Sequence, residues 1–531
     1  MLKRRSFLHA ALRAAGAAPL VNGVARAAAA SPLAETTAGK IRGSLDNKIY
    51  SFKGVPYGAS TEGARFLPPT RPKPWNGTRE MLQLGLRAPQ LPANLVPEYA
   101  VMDRTGPMGE DCLCLNVWSQ GMRDNRKRPV MVWLHGGGFT SGSAGFTLYD
   151  GANLAAKHDV VVVGVNHRLN AFGFLYLAEI GGAQFAQASN AGMLDIVLAL
   201  EWVRDNIEQF GGDPDSVTVF GQSGGGGKVS ALLGMPQAKG LFHRAIAMSG
   251  SAVKGVSRAD ATKTAEAILD KLNLKASQVA ELQKVPMQRL LDATAGGSLR
   301  LAPVVDGRTI PADPFDPMAT EISSNIPLMI GSTETEVTWS TATSYEPLDD
   351  KALRGRVKQT LRADDQSADR AIAVYRKNRP QLTNLDLYLI LASDASNFRI
   401  GTDTEADRKA AQAKAAVYKY YFQWYSPVRE GKLRSMHTMD IPFVFQNVNI
   451  AKSTIGEGAE RQPLADKMSA AWAAFARSGN PNTRGLASWP AYTPARKATM
   501  IFNNECKAYE NPFGEERAAI AGAASVPAGR A

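Results

Sequence analysis

The sequence predicts an α/β fold with a large, mostly parallel central sheet flanked by helices. Five apolar runs recur along the chain, at residues 129–134, 160–166, 216–221, 244–250 and 326–332. Continuous runs of this kind suit strands covered on both faces. A helical stretch, "NAGMLDIVLALEWVRDNIEQFGG", lies between the second and third runs, and strand, helix, strand in succession implies an α/β crossover. With 44% hydrophobic and 21% charged residues among 531, the chain has the composition of a globular protein able to bury a large core.

The first 30 residues stand apart. They have a basic start, a modestly apolar middle and small residues at Ala25 and Ala27 around Arg26, the pattern of an export signal. Arg4 and Arg5 followed by Ser6, Phe7 and Leu8 resemble a twin-arginine signal, which would carry the folded protein across a membrane to the periplasm or beyond. Arg13, Pro19 and Asn22 interrupt the apolar run, so it falls short of the roughly 20 apolar residues of a spanning helix. Residues 31–531 read as a single domain, with helical insertions at about 256–325 and 340–435, where the pattern turns helical and more polar.

The run at 129–134 leads into His135-Gly136-Gly137-Gly138. A Gly-rich loop directly after a strand can aim backbone N–H groups at an oxyanion. In the crossover helix Leu194, Leu198 and Trp202 recur at helical spacing, and Gly211 stands where a helix would stop.

The run at 216–221 ends in "GQSGGGGK", which could cradle a phosphate or present a nucleophile. A P-loop needs glycine at the position of Gln222 and a hydroxyl at that of Val229, and a dinucleotide fingerprint would also close on glycine at Val229. Gly221-Gln222-Ser223-Gly224-Gly225 instead matches G-x-S-x-G in full. It stands between strand and helix, the context in which α/β-hydrolases expose a nucleophilic serine. The glycines then have a reason: a sharp strand-to-helix turn leaves no room for Cβ atoms, although each glycine weakens a helix by up to about 1 kcal/mol.

A serine hydroxyl is a poor nucleophile until an imidazole takes its proton. In this architecture the order along the chain is Ser, acid, His. Of the six histidines, His9 sits in the export signal, and His135, His158 and His167 precede Ser223. His243 follows it by only 20 residues, too soon for an acid on a later strand. His437 remains, in "SMHTMDIPFVFQN", a polar loop leading into apolar residues. The acid should follow a late strand, and after 326–332 both Glu334 and Glu336 qualify; spacing alone does not separate them.

Together with "FKGVPYG", "RFLPPTRPKPWNG", "GEDCLCLNVW", "VNHRLNAFGFL" and "FARSGNPN" in order, these motifs make the chain resemble the type-B carboxylesterase family, relatives of the cholinesterases. The resemblance covers nearly everything after the export signal. It implies an α/β-hydrolase fold and a serine carboxylesterase acting through an acyl-enzyme on Ser223. It further implies Glu336 as the acid, from a G-x-x-x-x-E spacing that starts at Gly331, and Gly137, Gly138 and Gly224 as oxyanion donors. Four positions depart from the family. Gln222 replaces the usual glutamate, which removes a negative charge from the gorge, makes a choline-like substrate unsuited, and marks Gln222 as a substrate-binding candidate. Leu91 stands where the partner of the Cys112 equivalent is usual, Val337 replaces the glycine after the acid, and Lys228 replaces a small residue without taking a triad role.

The three cysteines, Cys112, Cys114 and Cys506, are expected as buried thiols rather than a bridge or a metal pair. The formal charge of +12 falls to +7 once Lys3, Arg4, Arg5, Arg13 and Arg26 leave with the export signal. No Lys/Arg run is interleaved with aromatics, so the excess reads as solvated surface rather than a nucleic-acid footprint. The expected partner is a small-molecule ester, with no metal or cofactor, no nucleic acid and no stable membrane insertion. Two other readings share the scaffold: an adhesion-type binding protein, whose relatives have lost the serine that this chain keeps, and an amidase or lactonase.

Overall fold

The apolar runs become strands because their side chains divide between two cores. In the run Arg128–Leu134, Val130, Val132 and Leu134 enter one hydrophobic cluster while Met131 and Trp133 enter the other, as successive strand side chains point to opposite faces. Burying side chains of this size stabilises the fold by roughly 1.5–3 kcal/mol each, and a strand sandwiched in this way has no solvent face to require polar alternation.

This computed structural model describes residues 32–92, 96–102, 106–296, 299–341 and 345–524; the export signal expected over residues 1–30 lies outside them. The strands are β1 (Leu33–Thr36), β2 (Gly39–Arg42), β3 (Ser44–Asp46), β4 (Ile49–Pro56), β5 (Thr78–Glu80), β6 (Cys114–Ser119) and β7 (Arg128–Leu134). They continue as β8 (Val161–Val165), β9 (Gly212–Gln222), β10 (Arg244–Met248), β11 (Leu328–Thr333), β12 (Val417–Phe422), β13 (Thr499–Phe502) and β14 (Lys507–Tyr509). β1, β2 and β5 form a small separate sheet. The other eleven form one sheet in the order β14-β13-β12-β11-β10-β9-β7-β8-β6-β4-β3. From β8 to β13 every neighbouring pair is parallel, and antiparallel strands close both edges.

Helices cover both faces. Ala191–Asn206 lays Leu194, Leu198 and Trp202 on one core, and Gly211 ends its 3₁₀ continuation at φ +71°, a left-handed stop that costs glycine nothing. Arg461–Ser478 lays Leu464, Met468 and Trp472 on the other. All five apolar runs lie on strands of the main sheet, as the composition of the runs requires.

One expectation needs correction. The segment 340–435 is not a helical insertion throughout: helices occupy Asp350–Leu361, Asp365–Asn378, Asn384–Asp394 and Asn397–Ala411, but Val417–Phe422 is a fully buried central strand between β11 and β13. Its sequence, VYKYYF, follows an alanine-rich helix end and carries Lys419 in its middle, which disguises the strand. The lysine is accommodated by a buried ion pair with Asp403, while the aromatic and β-branched residues fit the pleated surface. Likewise 256–325 is helical, among the described residues, over Arg258–Lys271, Ala276–Gln283, Met287–Ala293 and a short 3₁₀ turn at Glu321–Ser323, and is otherwise mostly irregular. Cys112, Cys114 and Cys506 are buried free thiols. Among the described residues no helix is long and apolar enough to cross a membrane.

Candidate active site

The expected site residues all lie at the carboxyl edge of the parallel strands, where open α/β sheets bind their ligands. Ser223 follows β9 directly and begins the helix Gly224–Leu233. Its backbone sits at φ +58°, ψ −126°, a conformation costing an L-residue on the order of 1–3 kcal/mol. The surroundings hold it there. Its N–H donates to the Met248 carbonyl at 2.8 Å and its carbonyl accepts from Gly227 N–H at 3.0 Å. A Cβ on Gly224 would lie 2.1 Å from Gly138 O, one on Gly225 2.0 Å from Leu134 O, and one on Gly250 1.9 Å from Ser223 O. Three chain segments therefore meet backbone to backbone at the serine.

Gly137 and Gly138 stand at φ +89° and +60°, and every carbonyl of their loop is occupied. Gly136 O accepts from His135 Nδ1 at 2.8 Å, and Gly137 O accepts from Ser141 N at 3.1 Å and from Ser141 Oγ at 3.2 Å. The ammonium of Lys228 donates to His135 O at 2.9 Å and to Gly138 O at 2.8 Å. By contrast the N–H groups of Gly137, Gly138 and Gly224 donate to no described residue, so all three are available to an oxyanion. His135 stacks on His167 with ring centroids 4.8 Å apart. Burial, then the Lys228 charge, pushes His135 down to about 3, so the ring is neutral. Its proton is on Nδ1, since a carbonyl can only accept.

The two carboxylates that spacing left equal are separated by their partners. Glu336 Oε2 accepts from His437 Nδ1 at 2.5 Å and its Oε1 accepts from Thr333 N at 2.7 Å. Glu334 is turned away, bound by Arg379 at 3.0 Å, Gln423 at 2.7 Å, Tyr425 at 3.2 Å and Arg434 at 3.2 Å. A backbone bridge makes the choice: Thr335 pairs with Met436, and its N–H donates to Ser435 O at 3.1 Å. The residues that follow, Glu336 and His437, then fall side by side. Burial alone would raise the Glu336 pKa, but the imidazole and the Arg399 charge outweigh it and hold the carboxyl below its ordinary range, ready to support an imidazolium.

His437 is 5% exposed. The Tyr99 hydroxyl donates to its carbonyl at 2.7 Å, and the Phe398 ring lies 4.5 Å away, centroid to centroid. Gln222, expected in the gorge, is 1% exposed and stands beside the catalytic imidazole, with its amide nitrogen 3.3 Å from His437 Nε2. It ends β9, next to Ser223. Ser223 is half-buried, and its Oγ makes no hydrogen bond to the imidazole among the described residues. Such bonds commonly tighten only when substrate arrives. Tyr99, Phe398 and Arg399 escaped the sequence reading. Tyr99 lies 338 residues from His437, and nothing local marks it.

A strained serine elbow, a Gly-rich donor loop and a carboxylate-bound histidine on one sheet edge define a serine hydrolase of the α/β-hydrolase fold. The chain belongs to the carboxylesterase family, whose model matches residues 30–520, and it is a serine carboxylesterase. It is 34% identical over 503 residues to a para-nitrobenzyl esterase of Bacillus subtilis (strain 168), covering 91% of this chain and 97% of that one. The Geobacillus stearothermophilus carboxylesterase EST55 at pH 6.2 superposes with a TM-score of 0.79 at 37% identity, over 92% of this chain and 99% of the other. An esterase from the anaerobe Clostridium hathewayi that can hydrolyse aliphatic aromatic polyesters gives a TM-score of 0.80 at 34% identity, over 93% and 98%.

Proposed function

We propose that this carboxylesterase hydrolyses small esters through an acyl-enzyme on Ser223, with His437 as general base and acid, Glu336 orienting the imidazole, and Gly137, Gly138 and Gly224 as oxyanion donors. His437 Nε2 takes the proton of Ser223 Oγ as the hydroxyl oxygen attacks the ester carbonyl. The three N–H groups hold the oxygen that becomes negative. His437 then returns the proton to the leaving alcohol, and a water repeats the sequence to free the acid and restore Ser223. The observation that carries this reading is the 2.5 Å bond from His437 Nδ1 to Glu336, which fixes Nε2 as the proton-accepting nitrogen. With p-nitrophenyl butyrate in pre-steady state, a burst of p-nitrophenol and a butyryl adduct on the Ser223 peptide are expected. A linear time course with no adduct would overturn the reading.

The oxyanion role gives a second expectation. In Gly224→Ala the new Cβ would press on the Gly138 backbone, so the donors must move apart. A fall in kcat on the order of 10²- to 10³-fold is expected, read by steady-state kinetics, and unchanged kcat would remove Gly224 and Gly138 from the hole.

The basic, small-residue pattern of residues 1–30 supports export by a twin-arginine route, with residues 31–531 travelling as one folded domain. Terminal sequencing of protein recovered outside the cytoplasm is expected to begin after Ala27; an intact Met1 there would sink the proposal.

A further inference from the structure

The triad and the three donors leave one buried charge unused. Lys228 sits on the second turn of the helix that follows the nucleophile and is 0% exposed. No carboxylate pairs with it among the described residues. Its nitrogen meets the carbonyls of His135 and Gly138, and lies 5.2 Å from the centroid of the Phe139 ring. A core position that served packing alone would be filled at less cost by an apolar side chain, because a buried ammonium gives up its hydration.

What it holds matters more. Each trans peptide carries its C=O and N–H in opposite directions, so fixing the carbonyl fixes where the N–H points. The Gly136–Gly137 and Gly137–Gly138 peptides, which own the two donor N–H groups of the loop, are anchored by His135 Nδ1 and by Ser141. The peptides on either side are both anchored by one atom, Lys228 Nζ. Three successive glycines have no side chains to stiffen such a loop.

We propose that Lys228 is a positioning residue for ester hydrolysis: by bridging the His135 and Gly138 carbonyls it keeps the Gly137 and Gly138 N–H groups turned toward the oxyanion. This rests on the reading of Ser223 as nucleophile and of the glycine loop as its oxyanion hole. The groups facing Lys228 from β7 and from the segment after β8 are His135 and His167, and burial holds both neutral. They set no charge against the ammonium, so the carbonyls are its counterparts. Burial also pushes Lys228 itself down to about 7, which makes the two acceptors important to its charged form.

The test compares wild type, Lys228→Met, Lys228→Gln and Lys228→Arg. A kcat about 10²-fold lower is expected for Lys228→Met with p-nitrophenyl butyrate, the size of one lost oxyanion donor, while KM stays within about threefold. Affinity for a trifluoromethyl ketone, whose adduct mimics the tetrahedral oxyanion, is expected to fall by the same factor as kcat/KM. Lys228→Gln, which keeps one donor group, should fall between, and Lys228→Arg should recover part of the loss. A lysine that merely stitches helix to loop would lower the melting temperature and leave the ketone affinity alone. Should Lys228→Met not fold, Lys228→Gln carries the same comparison. If wild type acylates Ser223 and the variants match its kcat and ketone affinity within threefold, the proposal on Lys228 falls by itself. If wild type forms no Ser223 adduct, the reading of the whole site falls with it.

Discussion

Ser223→Ala is expected to lower kcat toward p-nitrophenyl butyrate by on the order of 10⁴- to 10⁶-fold, with no burst and no adduct. The structure gives reasons to expect a clean experiment. Ser223 Oγ makes no hydrogen bond among the described residues, so its removal leaves no buried partner unsatisfied. The elbow at φ +58° is held by the Met248 carbonyl, by Gly227 and by the glycine contacts, none of which involves the hydroxyl. Stability should therefore stay within about 0.5 kcal/mol of wild type, checked by thermal melting. A variant that folds and keeps a tenth of the activity would mean that another nucleophile does the chemistry.

Glu336→Gln and Glu334→Gln should fail in opposite ways. Glu336→Gln keeps the shape but replaces the acceptor of His437 Nδ1–H with an amide that can offer its own N–H, favouring the wrong tautomer. A fall in kcat of roughly 10³- to 10⁴-fold with little change in KM is expected. Glu334→Gln instead leaves Arg379 and Arg434, 8% and 7% exposed, short of their shared buried carboxylate. Each arginine keeps a second carboxylate, Glu516 at 3.7 Å and Asp386 at 3.3 Å, so the loss of the shared one costs about 1–3 kcal/mol, visible as a lower melting temperature, while kcat per folded molecule stays within about tenfold. Steady-state kinetics and melting curves on both variants decide it, and the reverse pattern would transfer the role of acid to Glu334.

These two glutamates also show where reading a sequence stops. The strand runs were legible because full burial on both faces removes polar alternation, and the serine elbow because steric crowding demands glycine at fixed offsets. His437 was reachable by order along the chain. The choice of Glu336 over Glu334, by contrast, is made by a bridge between Thr335 and Met436 and by the guanidinium groups of Arg379 and Arg434, contacts between segments dozens of residues apart. β12 is hidden in the sequence because Lys419 interrupts its apolar pattern and an alanine-rich helix runs up to it. The place of Gln222 before the serine is visible in the sequence, whereas its approach to His437, 215 residues away, is not. Lys228 registered only as a departure from a small residue; that its side chain spans from the helix to the donor loop is a property of the packing.

The backbone-to-backbone meeting of Gly224 with Gly138, Gly225 with Leu134 and Gly250 with Ser223 bears on how such an enzyme can be engineered. Libraries that randomise the elbow will be dominated by dead clones, since nearly any side chain there collides with main chain that has nowhere to go. Variation in the acids and alcohols accepted has to be sought outside that contact, at side chains such as Phe398, whose ring lies 4.5 Å from that of His437. There a new side chain can reshape the walls while the reacting atoms keep their coordinates.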